Sequence, residues 1–418
     1  METSRRYNPP TLLLVQKYGG SSLADADRIR SVARRIAEAK LRGDDVVVVV
    51  SAMGDTTDRL TALAAEIGRS DHSRELDMLL TSGERISMAL AAMAIAEQGV
   101  EAMSLTGSQA GILTDAAHGR ARIQEIKGDR VREGLAEGKV VIVAGFQGVD
   151  PQSREITTLG RGGSDATAVA MAAALDADAC EIYTDVDGVL TADPRIVRDA
   201  RKIDEISYDE MLELAASGAG VLMARSVEFG RRYSIPIHVR SSFHDGPGTW
   251  VKEQTMEQAI VSGVTHDVGQ AKVTVHGVPD RPGVAAALFT PLGTEGVSVD
   301  MIVQNVSSDG ITDISFTVPV DQVDVARKAA MAAADELDAR GVDVDENIAR
   351  VSVVGAGMEF DSGIAARMFG ILAEHEVNIE MISTSAIRIS CVVKADQAED
   401  AVRVLHDEFQ PPLIASRS

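Results

Sequence analysis

Short apolar runs alternate with longer amphipathic stretches over the first 240 or so residues. Leu12–Gln16, Val46–Val50, Val140–Ala144, Glu181–Thr184 and Ile237–Arg240 are predicted strands, several of them unbroken Val/Ile/Leu runs. Such a strand has no water-facing side. It belongs in a sheet covered on both faces, which means α/β architecture with mainly parallel pairing. Asp25–Arg42, Ser73–Gln98, Ile123–Glu137, Ala166–Ala174 and Tyr208–Ala216 are predicted helices between these strands. The turn-rich Ser242–Gly248 closes the unit, and a charged connector over Lys252–Gln258 follows.

The remaining third contains an internal repeat. Lys272–Ile302 and Arg350–Ser383 each read strand, glycine loop, amphipathic helix, strand. Val273, Gly283 and Met301 recur as Val351, Gly363 and Met381, 78 to 80 residues on. Two copies are too few for a solenoid, so a pair of small α+β modules is expected.

Composition narrows the function classes. With 41 Lys and Arg against 63 Asp and Glu, the net charge is −22. Nucleic-acid and polybasic membrane binding both draw on excess basic charge, so neither is expected. An anionic small substrate stays possible, because local cations can override the global field. Only Cys180 and Cys391 occur, far apart, which excludes a disulfide framework or a cysteine zinc site. The short apolar run after Arg5 and Arg6 fits neither a leader nor a membrane span, and a cytoplasmic protein is expected.

Three glycine-rich elements carry the candidate chemistry. Lys17-Tyr18-Gly19-Gly20-Ser21-Ser22 ends a predicted strand before a helix, where backbone N–H groups favour an anion. Gly160-Arg161-Gly162-Gly163-Ser164-Asp165 repeats that loop-to-helix form. Tyr183-Thr184-Asp185-Val186-Asp187-Gly188 is followed by Ala192-Asp193-Pro194-Arg195. Each alone reads equally well as a tight turn. Together they supply the cations, N–H donors and carboxylates that phosphoryl transfer requires. No G-x-x-x-x-G-K-[ST] run exists, and Asp165 interrupts a G-x-G-x-x-G fingerprint, so P-loop and dinucleotide folds are excluded by pattern.

The ordered set KYGGSSL, SAMGDTTDRL, TSGER, LGRGGSD and YTDVDGVLTADPR resembles aspartate kinases of the amino-acid-kinase fold, and the repeat resembles their ACT pair. The resemblance spans residues 12–410 or so. It implies a three-layer α/β sandwich around a mostly parallel sheet, then two βαββαβ modules. The expected divisions are a catalytic domain over 1–250, a linker over 251–268, and modules over 269–345 and 346–418.

It further implies ATP-dependent phosphorylation of L-aspartate on its side-chain carboxylate, with Mg2+ carried in by the nucleotide. Lys17 would contact the transferred phosphoryl group beside Gly19 and Gly20, and Asp165 would orient Lys17. Ser51, Thr57, Glu84, Arg161 and Ser164 would hold aspartate, with Arg161 on a carboxylate and Glu84 on the amino group. Thr184, Asp185, Asp193 and Arg195 would line the ATP site. Asp280, Asp300, Gln304, Asn378 and Ile379 would contact a feedback amino acid, lysine or threonine, and the modules would pair into a homo-oligomer. A carboxylate nucleophile is already ionised at neutral pH, so His118, His238 and His266 are read as surface or turn residues.

Four departures from the family pattern stand out. Gly220 replaces a lysine expected near the phosphates, and Leu190 replaces a tyrosine near the adenine. Losing one cation could cost on the order of 3 kcal/mol in barrier, with Lys202 as the candidate replacement. Ser298 stands for an asparagine in the first module, and Asp361-Ser362-Gly363 lacks the proline of Asp280-Arg281-Pro282-Gly283. Alternatives to the kinase are a relative specialised for another substrate and a catalytically weak amino-acid sensor. Met256 is a further candidate, as the start of a separate regulatory subunit.

Overall fold

Valine runs dictate the centre of the fold. The structure, a computed structural model, describes residues 11–68, 73–253, 260–305 and 310–409. Met256 and most of the charged connector lie outside the described residues. Eight strands form the main sheet in the order Glu205–Ile206, Thr249–Val251, Ile237–Ser241, Ala179–Thr184, Leu13–Tyr18, Asp45–Val50, Val140–Ala144, Ala102–Leu105. All neighbours run parallel except Thr249–Val251 against Ile237–Ser241. Side chains alternate across a strand. Val46, Val48 and Val50 therefore pack with helices Ala26–Arg42 and Arg74–Ala96 on one face. Val47 and Val49 pack with Gly163–Ala174, Tyr208–Ala216 and Ala224–Tyr233 on the other. This is the expected three-layer sandwich.

Local chemistry sets the helix ends. Asp25 caps Ala26–Arg42 by accepting the Arg28 amide at 2.9 Å, and Gly43, at φ +108°, ends it in the left-handed region. Arg74–Ala96 is the one described helix long and apolar enough to cross a membrane, yet Asp77, Glu84, Ser87 and Ile95 are buried in the protein. It is a core helix. The helix expected over Ile123–Glu137 divides: Ile123–Ile126 is a strand and the helix starts at Asp129. Gly128, at φ +67°, breaks the run, and the strand joins a four-stranded sheet with Ile112–Thr114, Gln147–Val149 and Ile156–Thr158. His238 is also not a surface residue. It is 8 % exposed and stacks on Trp250 at 3.9 Å between centroids.

The C-terminal third corrects the sequential domain plan. The first module runs continuously from Gln270 to Asp345, as βαββαβ with strand order Ile302–Gln304, Ile311–Pro319, Gln270–Pro279, Gly341–Asp345. In the second sheet the order is Gly263–Asp267, Ile348–Val354, Arg388–Lys394, Met381–Thr384. Its edge strand therefore comes from the stretch expected to be linker, and the first module is inserted into the second. Antiparallel pairing from Gly263↔Val354 to Asp267↔Arg350 satisfies backbone groups that a loose connector would leave to water.

The two modules meet through their repeated positions. Met301 and Met381 share a buried cluster with Ile348 and Val392. Lys272 of the first module pairs with Glu380 of the second, and Arg350 of the second with Asp300 of the first. These are equivalent positions of the repeat, so the ion pairs are reciprocal across a pseudo-twofold axis. Helix Tyr208–Ala216 anchors the catalytic domain to the second module. Glu210 accepts the Ala356 amide at 3.0 Å, Glu213 pairs with Arg388 at 2.9 Å, and the Ala216 carbonyl accepts Arg350 at 2.6 Å.

Leu405, fully buried, shares one core with Val264 and with Ala192, Ile196 and Val197 of the catalytic domain. Leu405→Ala is expected to cost about 2–5 kcal/mol. Calorimetry should show it as a drop in the lowest-melting transition, and an unchanged thermogram would contradict this shared core.

Candidate active site

Parallel pairing aligns the strand ends that build the site. Tyr18 is in register with Val50 and Tyr183, Val50 with Ala144, and Thr184 with Ser241. Lys17–Gly20, Ser51, Gly145 and Thr184 therefore emerge along one carboxyl edge of the sheet. Open parallel sheets bind ligands at such an edge, where neighbouring connections diverge.

Lys17 and Asp165 form the centre, with Nζ–Oδ1 at 2.5 Å and both side chains largely buried. Asp165 sits in the first turn of helix Gly163–Ala174, entered through Gly162 at φ +67°. Gly19 lies against this pair: a Cβ there would come 3.5 Å from Lys17 Nζ. A Cβ on Gly20 would stand 2.8 Å from the Gly54 carbonyl oxygen, so only glycine lets the two loops close. Ser164 is buried and packs against Gly145, where a Cβ would fall 2.9 Å from its Oγ.

Glu84 is the electrostatic anomaly. It is 3 % exposed, its Oε1 accepts the Ala52 amide at 3.1 Å, and its Oε2 is buried without a partner. Burial pushes its pKa from 4.5 to about 7, against the lowering effect of two backbone hydrogen bonds. A buried carboxylate with a free oxygen calls for a cation. Ser51, Thr57 and Ser164 belong to the same loop and helix starts, with Ser51 and Thr57 half-buried. Arg161 is exposed and has no ion-pair partner among the described residues.

A second cavity of about 450 Å³ brings together Thr184, Asp185, Asp193 and Arg195. Thr184 Oγ1 donates to Asp185 at 3.1 Å, and Arg195 pairs with Asp193 at 2.6 Å. Leu190 and Gly220 line it too, and a side chain on Gly220 would meet open space. Lys202 does not replace the absent lysine. Its ammonium is tied to Asp204 and to the Gly248 carbonyl at 2.7 Å. Val264, Thr265 and His266, from the supposed linker, form a wall of this cavity. Nothing in their sequence marks them as site residues, since their place depends on the distant Ile348–Val354 strand. Gly145 does carry a local signal, a glycine directly after an apolar strand.

The expected effector residues divide between the modules. Asp280, Asp300 and Gln304 are exposed on the first, while Asn378 is exposed and Ile379 half-buried on the second.

Comparison with known proteins agrees with this arrangement. The amino acid kinase family pattern matches residues 13–241, and ACT domain patterns match 272–338 and 351–409. The chain belongs to the amino acid kinase family, among its aspartokinases. It is 55% identical to the aspartokinase of Mycolicibacterium smegmatis over 403 residues, covering 95% of this chain and 96% of that one. Identity to the aspartokinase of Mycobacterium tuberculosis H37Rv is 54% over the same shares. The Escherichia coli aspartokinase III structure with aspartate and ADP, an R-state, matches at 28% identity with a TM-score of 0.82, covering 95% of this chain and 99% of that one. Its T-state structure with lysine and aspartate matches at 0.72, with the same identity and coverage.

The raised Glu84 pKa has a measurable consequence. Between pH 4.5 and about 7 the folded protein holds a proton that the unfolded chain has released. Stability from this group is therefore lost as pH rises through that window. Glu84→Gln, neutral throughout, is expected to melt higher relative to the parent above pH 7 than at pH 4.5. Equal differences at both pH values would contradict the raised pKa.

Proposed function

We propose that the carboxyl edge of the sheet transfers the γ-phosphoryl group of MgATP to the side-chain carboxylate of L-aspartate, giving 4-phospho-L-aspartate and MgADP. The observation that carries the residue assignment is the unpartnered, buried Glu84 Oε2, whose carboxylate holds the Ala52 amide in the loop that closes against Gly20. Glu84 receives the substrate ammonium and Arg161 a carboxylate, with Ser51, Thr57 and Ser164 completing the polar contacts. Arg suits this task because its planar fork matches a carboxylate bidentately. The other carboxylate, ionised at neutral pH, attacks the γ-phosphorus as the bond to the bridging oxygen of ADP breaks. Lys17, steered by Asp165 and flanked by Gly19 and Gly20, stabilises charge spreading over the transferred oxygens. Thr184, Asp185, Asp193 and Arg195 hold the nucleotide, and its Mg2+ enters with it as part of the substrate.

Feedback by lysine or threonine acts through Asp280, Asp300, Gln304, Asn378 and Ile379. Asp300 supports this reading, because its carboxylate is committed to Arg350, which also donates to the Ala216 carbonyl and to Asp267 at 3.3 Å. An effector ammonium that recruits Asp300 loosens Arg350 from helix Tyr208–Ala216, whose Leu214 lines the nucleotide cavity. The edge strands Ile302–Gln304 and Met381–Thr384, with Ile302 and Ile382 exposed, are where a second copy of the chain would pair.

Hydroxylamine trapping of acyl phosphate with MgATP tests the chemistry. Aspartate-dependent product is expected, with glutamate a poor substitute. Lys17→Met should lower kcat about 10²–10³-fold, whereas Arg161→Ala should act mainly on the KM for aspartate. A Lys17→Met enzyme with near-parental kcat would overturn the assignment. Arg350→Gln should shift half-inhibition by the feedback amino acid by about 5-fold or more, the lower end of ordinary allosteric coupling. Unchanged inhibition would remove Arg350 from the route.

A further inference from the structure

Beyond the catalytic cleft, one cluster of ligating side chains has no part in the chemistry above. Helix Ala398–Phe409 of the second module carries His406, only 1 % exposed. Its Nε2 lies 2.9 Å from Thr191 Oγ1, and its Nδ1 is buried with no hydrogen-bond partner. A ring nitrogen of His406 and the carboxylates of Asp199 and Asp407 lie within 4.8 Å of one another. Both aspartates are exposed, and neither is ion-paired among the described residues.

Thr191 Oγ1 already accepts the Arg201 amide at 2.9 Å. In the tautomer that donates Nε2–H to its second lone pair, the imidazole is fixed and Nδ1 is left as a bare lone pair. A buried acceptor beside two carboxylates is repelled unless positive charge lies between them. A histidine with one nitrogen anchored and the other free is the usual posture of a metal ligand.

We propose that His406, Asp199 and Asp407 form a site for a divalent transition-metal ion, with Zn2+ as the best match. One imidazole and two carboxylates leave a fourth tetrahedral position for water at the open side. The nitrogen ligand selects against Mg2+, which prefers an octahedral oxygen shell. An ion here staples the segment around Thr191–Arg201 to the regulatory helix. That segment carries Asp193 and Arg195, so occupancy stiffens one wall of the nucleotide cavity. The metal binding itself does not depend on which reaction the cavity serves.

The test uses chelator-stripped full-length protein titrated with Co2+ in excess Mg2+, followed by visible absorption and thermal melting. A saturable Co2+ band that Zn2+ displaces is expected, with Zn2+ raising the melting temperature. His406→Gln should abolish both. The double variant Asp199→Asn/Asp407→Asn, altering only exposed side chains, should do the same should His406→Gln fail to fold. Thr191→Val should weaken Co2+ about 10–100-fold. Absence of a band from folded wild-type protein would overturn the proposal. So would a band and melting shift that persist in the double variant.

Discussion

Backbone pairing of Gly263–Asp267 with Ile348–Val354 is the constraint on which the molecule's organisation depends. The strand closes the second regulatory sheet through one set of hydrogen bonds. Its Val264 amide also donates to the Thr191 carbonyl at 2.8 Å, and Val264, Thr265 and His266 line the cavity that holds Thr184, Asp185, Asp193 and Arg195. A residue of that strand cannot move without disturbing either a sheet or a binding wall. Cores are close-packed and tolerate displacement poorly. The second module is thus structural support for the catalytic domain as well as a regulatory attachment, and Val354 itself belongs to the catalytic core.

Charge is distributed to match. Most ion pairs lie on the surface, where each contributes little. Besides Asp77 with His118 and Glu181 with Arg240, the more buried ones include two that join separate elements of the fold. Lys17 pairs with Asp165 at the carboxyl edge of the main sheet, and Glu84 Oε2 is buried without a partner. Arg350, 3 % exposed, gathers Asp267, Asp300 and a helix carbonyl at the junction of all three units. Breaking a buried pair by removing one partner is costly, because it strands the other charge. In the proposed feedback route, that cost carries competition for Asp300 to helix Tyr208–Ala216.

The catalytic sheet was readable in the sequence because its signals are local. Val46–Val50 and Val140–Ala144 are continuous apolar runs that few other environments accept, and the glycine loops directly follow such runs. Family resemblance then assigned Lys17, Asp165 and Glu84, and the structure brings Lys17 onto Asp165. What escaped was non-local. Ile123–Ile126 reads as helical because its strand partner Ile112–Thr114 is short and a single glycine, Gly128, is the only local sign of the break. Gly263–Asp267 looked like connector because the strand it completes lies some eighty residues on, beyond an inserted module. Lys202 satisfied a charge count yet points into a turn, bonded to Gly248. Sequence reports which groups are present. Register decides which of them meet.

Hydrogen–deuterium exchange on the full-length protein, with and without nucleotide, tests the shared strand most directly. Nucleotide binding should slow exchange at residues 189–195 and, through the pairing, along 263–267 and 348–354 together. Addition of the feedback amino acid should change the same three segments in the opposite direction. Protection confined to the catalytic domain, with 348–354 indifferent to nucleotide, would contradict the account.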